Sequence, residues 1–69
     1  MSLHVSVHED GKSRELFIYN YRVFTTVHAK RIFTKESGVK YDESTGEWDD
    51  YQHIEFFHKG DYVGAIWEE

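Results

Sequence analysis

The chain has 69 residues, enough for one domain and no more. It has no cysteine, which excludes disulfide staples and thiolate metal sites, and no apolar run near the ~20 residues of a membrane span. Its net charge of −5 is unevenly spread: seven Lys/Arg face four Asp/Glu in residues 1–41, and one Lys faces nine Asp/Glu in residues 42–69.

Leu3-His4-Val5-Ser6-Val7-His8 alternates apolar and polar, the pattern of a strand with one buried face. Leu3, Val5 and Val7 point inward, and His4, Ser6 and His8 outward. Asp10-Gly11 then signals a tight hairpin, because both central residues of a type I′ turn need positive φ. The run from Arg14 to Val23 is rich in Phe, Ile, Tyr and Val. Leu16 and Ile18 share one face, and Phe17, Tyr19 and Tyr21 the other. Two apolar faces predict a central strand.

Thr25 and Thr26 offer N-cap hydroxyls to a helix running from about Val27 to Ser37, with Gly38 stopping it. Ala29, Ile32 and Phe33 form its apolar stripe. His28, Arg31 and Lys35, with Lys30 nearby, form a basic edge. Val39 to Tyr41 reads as extended and Asp42 to Glu47 as a turn. Ile54 and Phe56 then share one strand face, and His53, Glu55 and Phe57 the other. Lys59-Gly60-Asp61 reads as a second hairpin turn, followed by a strand with Val63, Ala65 and Trp67 on one face. The expected fold is a single α+β domain over 1–69: an antiparallel sheet of four to five strands, one helix on one face, order ββαβββ.

Catalytic signals are missing. There is no G-x-S-x-G, no phosphate-cradling glycine loop, and the adjacent carboxylate pairs Asp42-Glu43 and Asp49-Asp50 fall in expected loops. The expectation is a protein that is not an enzyme. His4 and His8 stand about 13 Å apart at strand rise, and no spacing of the five histidines suits a metal ion, so neither metal nor cofactor is expected.

Two charged groups remain as binding candidates. The first is an acidic row with aromatics: Asp42, Glu43, Glu47, Trp48, Asp49, Asp50, Tyr51 and Glu55, joined by Asp61. Spaced carboxylates can stand in for phosphates and address a basic groove, while Trp and Tyr anchor interfaces. Trp48 also fits the core at the sheet rim. The second is the helix edge of His28, Lys30, Arg31 and Lys35, whose chemistry suits nucleic acid, although the acidic half repels it.

Thr26-Val27-His28-Ala29-Lys30-Arg31-Ile32-Phe33-Thr34 resembles a Leu/Thr-x-x-Ala-Lys-Arg-x-Ala-Ser/Thr pattern of small phage-encoded proteins, among them type I anti-CRISPR proteins. Phe33 stands where that pattern has a small residue. The resemblance implies one helix on an antiparallel sheet and inhibition of a CRISPR surveillance complex by covering its nucleic-acid-contacting surface. Lys30, Arg31 and Lys35 would be the carried-over contacts. Tyr41-Asp42-Glu43-Ser44-Thr45 resembles a segment of phage uracil-DNA glycosylase inhibitors, which are acidic DNA mimics. The expected partner is a protein with a basic nucleic-acid-binding surface, such as a CRISPR–Cas effector, met in the host cytoplasm without a membrane. The alternatives are a structural domain that forms a homodimer through an exposed sheet edge, and a weak nucleic-acid-binding module.

Overall fold

The computed structural model describes residues 2–49 and 51–69. Strands β1 (Ser2–Glu9) and β2 (Lys12–Tyr19) form the first hairpin. Its turn residues Asp10 and Gly11 have φ of 51° and 73°, the geometry the Asp-Gly pair predicts. Helix α1 (Thr26–Ser37) follows, then β3 (Glu43–Ser44), β4 (His53–His58) and β5 (Asp61–Glu68). The five strands make one sheet in the order β2-β1-β5-β4-β3, with every pair antiparallel. The α+β architecture with one helix is therefore the one expected.

The core lies between α1 and one face of the sheet. Leu3, Val5 and Val7 of β1, Ile54 and Phe56 of β4 and Ile66 of β5 meet Ala29, Ile32 and Phe33 of the helix there. Phe33 stacks on Phe56 with ring centroids 3.9 Å apart, and Tyr41 closes that aromatic group edge-on. Gly64 lets the Phe33 ring descend onto the sheet, since no side chain stands in its way.

The helix ends follow from local chemistry. Thr25 holds an extended conformation, and its hydroxyl accepts from the His28 N–H at 3.1 Å. Gly38 adopts φ 70° and donates its N–H to the Thr34 carbonyl at 2.9 Å. Removing the first cap by Thr25→Ala is expected to cost about 1 kcal/mol. For a domain this small that lowers the melting temperature by roughly 4–8 °C, measurable by circular dichroism.

Four details differ from the sequence expectation. β2 is an edge strand, not a central one, and it stops at Tyr19. Its second apolar face is exposed, with Phe17 and Tyr19 open to solvent, and alternation alone cannot tell an exposed aromatic face from a buried one. Asn20 turns the chain with φ 57°, which carries Val23 into the core on the helix side. Val39 to Tyr41 pairs with no strand, whereas the expected turn over 42–47 contains β3. Finally, the β4–β5 register slips beside Phe56 and Phe57: Phe56 faces Gly64, but Phe57 faces Tyr62. Val63 is the extra residue of this bulge. It packs against the core and does not share a face with Ala65 and Trp67.

Candidate functional site

The strand registers define what lies on the sheet face away from the helix. His4 opposes Phe17 on β2 and Trp67 on β5, and Trp67 opposes His53 on β4. Those side chains form a continuous aromatic row. Phe17 meets His4 edge-on at 4.6 Å between centroids, His4 stacks on Trp67 at 5.1 Å, Trp67 meets His53 at 6.1 Å, and His53 meets Tyr51 at 6.2 Å. The bulge brings Tyr62 onto the same face, where it lies 6.0 Å from His8 and 5.9 Å from Phe57. This second row stands about 13 Å from the first, four residues along β1 and β4 and five along the bulged β5.

Between the rows the floor is low. Glu15, Ser6, Ala65 and Glu55 oppose one another across β2, β1, β5 and β4. Ser6 and Ala65 make the bottom of a shallow trough of about 540 Å³ with Trp67, His53, Tyr51 and Tyr62 around it. Glu15 and Glu55 mark the two ends of the floor row. Glu43 opposes Phe57 and adds a third carboxylate to the face. Among the described residues, no Lys or Arg occupies an open-face position of the strands. The face is aromatic and acidic throughout.

The other side of the molecule carries the opposite sign. Arg31 and Lys35 are exposed on the outer surface of α1, flanked by half-buried Lys30 and His28. His28 is engaged locally, its Nε2 lying 3.1 Å from the Tyr21 hydroxyl. The outer helix is thus positive at Arg31 and Lys35, while the outer sheet carries the carboxylates Glu15, Glu43 and Glu55.

His4 differs from its expected place. It points to the open face, as alternation predicts, yet it is only 8% exposed because Phe17 and Trp67 close over it. Its Nε2 lies 2.8 Å from a Glu69 carboxylate oxygen but makes no hydrogen bond among the described residues. Among the described residues, no three His, Asp or Glu side chains gather as a metal cage.

The acidic row does not form one surface. Trp48 is a correction: it is 1% exposed, and its indole N–H donates to the Val23 carbonyl at 2.8 Å, so it is core and offers nothing to a partner. Asp42 accepts from the Lys59 N–H with both carboxylate oxygens, at 3.1 and 3.4 Å, and so ties the start of β3 to the β4–β5 turn. Glu47 accepts from the Thr26 hydroxyl at 2.8 Å, and that hydroxyl accepts from the Trp48 N–H at 2.9 Å. Asp42 and Glu47 are exposed but serve the fold. Asp49 is exposed in the loop, Asp61 is exposed at the β5 start, and Asp50 lies outside the described residues. Among the described residues of the row, Glu43, Tyr51 and Glu55 reach the open face. Phe17, Tyr62, Trp67, His53 and Glu15 complete it; the sequence signals are the apolar second face of the β2 run for Phe17, and the alternation of the later strands for His53 and Trp67, while Tyr62 has none because a bulge places it.

No helix among the described residues is long and apolar enough to cross a membrane. Compared with protein-family models, curated proteins and solved structures, the chain matches none.

Proposed function

We propose that this chain is a non-catalytic binding protein whose open sheet face engages a basic, arginine-bearing surface of a nucleic-acid-handling protein. One observation carries the reading: two aromatic rows and the carboxylates Glu15, Glu43 and Glu55 share one face with no cation among them. A guanidinium is suited to such a surface. Its plane stacks on Trp67 or Tyr62, and its N–H fork pairs with a carboxylate at the end of the trough. The same carboxylates repel phosphate, which argues against bases stacking on these aromatics. Covering a basic groove in this way would inhibit the partner in the host cytoplasm. The resemblance around α1 suggests a CRISPR–Cas effector as that partner, which gives the acidic face the role of a DNA mimic.

A second reading rests on Arg31 and Lys35, exposed together on the outer helix, which would contact nucleic acid directly. Charge reversal distinguishes the two. Purified CRISPR–Cas effector complexes, duplex DNA and single-stranded RNA are titrated with three proteins: the natural chain, Glu43→Lys/Glu55→Lys, and Arg31→Glu/Lys35→Glu. The expected result is effector binding that falls at least about tenfold in the sheet-face variant, mostly through slower association, and persists in the helix variant. Nucleic-acid binding that is lost with Arg31 and Lys35 instead would establish the second reading. Effector binding indifferent to the sheet-face reversal would overturn the first.

A further inference from the structure

The edge of the sheet formed by β2 supports an inference independent of what the open face binds. β2 has a neighbour on one side only, so every second residue directs its N–H and C=O away from the sheet. The hairpin identifies which ones. Glu9 and Lys12 close a two-residue turn and exchange hydrogen bonds, so Lys12, Arg14, Leu16 and Ile18 bond toward β1. Ser13, Glu15, Phe17 and Tyr19 therefore present unpaired backbone groups along an exposed eight-residue strand. Its charges, Lys12, Arg14 and Glu15, are confined to its first half, and the other devices that blunt such an edge are missing. The strand is long, contains no proline, and carries two exposed aromatics. Arg14 is drawn toward the end of α1, where its guanidinium donates to the Ser37 carbonyl at 3.1 Å and lies 4.0 Å from a Glu9 carboxylate oxygen.

We propose that β2 pairs antiparallel with β2 of a second copy of this chain, about a two-fold axis at Leu16. Charge selects the register. A two-fold at Arg14 would set Arg14 against its own copy, and a two-fold at Glu15 would set Glu15 against its own copy, both unfavourable. A two-fold at Leu16 opposes the whole span Ser13 to Tyr19 to itself with no like charges facing. Leu16 meets Leu16, Glu15 meets Phe17, Arg14 meets Ile18, and Ser13 meets Tyr19. The outward residues Ser13, Glu15, Phe17 and Tyr19 then all fall in hydrogen-bonded pairs, while Leu16 falls in a non-hydrogen-bonded pair. Moving the two-fold to Phe17 keeps charges apart but leaves Ser13 and Arg14 unopposed. The assembled sheet has ten strands, both helices on one side, and the two acidic aromatic faces joined into one surface.

The absence of cysteine makes the register directly testable. Facing residues of a non-hydrogen-bonded antiparallel pair stand about 4.5 Å apart at Cα, within disulfide reach. Oxidation of Leu16→Cys is expected to give a disulfide-linked dimer. Because Leu16 also touches the core, an equimolar mixture of Glu15→Cys and Phe17→Cys, both exposed, provides a second route. The mixed disulfide between them should exceed either self-linked product. Light scattering of the natural chain should give twice its 8.3 kDa mass, falling to one copy on dilution. A monomer at every concentration overturns the proposal. So does a dimer in which neither the Leu16 route nor the Glu15–Phe17 route cross-links.

Discussion

Replacing Gly64 by alanine is expected to unfold most of this protein or leave it barely stable. Gly64 lies on β5 opposite Val7 of β1 and Phe56 of β4, at the centre of the sheet. A Cβ there would overlap the Ser6 carbonyl oxygen of the neighbouring strand and come within 2.8 Å of two ring carbons of Phe33. Neither obstacle can yield cheaply. The carbonyl belongs to the backbone of β1, and the ring is fully buried against Phe56. Relief would require parting β1 from β5 or lifting α1 off the sheet. Overpacking of this kind costs roughly 1–3 kcal/mol where side chains can adjust, and more where backbone must move. A domain of this length has only about 3–10 kcal/mol in total. Thermal and urea denaturation followed by circular dichroism measure the loss. Gly11→Ala is the control: the added methyl meets nothing within 4 Å, so its cost is limited to the strain of φ 73°. Equal stability losses for the two would refute the packing account.

Truncating Trp48 should be almost as damaging. Trp48→Ala leaves a cavity at the end of the core and strips the Val23 carbonyl of its donor. The cavity term is about 3–5 kcal/mol for a buried tryptophan. Trp48→Phe keeps much of the volume but still orphans the carbonyl, a penalty of roughly 1–3 kcal/mol. Ranking the natural chain, Trp48→Phe and Trp48→Ala by urea midpoint should therefore give three separated values in that order. A Trp48→Ala variant as stable as the natural chain would show that this ring is not core. Partner affinity, by contrast, should follow Glu43 and Glu55, because those carboxylates face outward on the sheet and Trp48 does not.

Asp42 and Glu47 show why charge alone misplaces a site. Both belong to an acidic stretch that looks like one interface, yet each carboxylate is held by a group distant in sequence, the Lys59 amide and the Thr26 hydroxyl. Their bonds fasten the chain on either side of β3, between α1 and β4. The described remainder of that stretch divides between loop and open sheet face. Which carboxylate does which depends on contacts between segments far apart in sequence.

The local elements were legible because local physics makes them. Alternation in 3–8, the positive-φ pair Asp10-Gly11, the hydroxyl of Thr25 and the stop at Gly38 act over a few residues, and each appears where its chemistry puts it. Strand order was not legible in this way. Periodicity says that β2 has two apolar faces, but not whether a neighbour covers its edge, and β5 takes the central place beside β1 through pairing across the whole chain. The bulge at Val63 is likewise a matter of register between β4 and β5, and it alone brings Tyr62 to the open face. Sequence thus determined the helix, the hairpins and the α+β class, through short-range sterics and hydrogen bonding. Only the tertiary structure decided which charges share a surface, because strand pairing sets every second side chain of distant segments on one face and so joins Glu15 of the basic half to Glu43 and Glu55 of the acidic half.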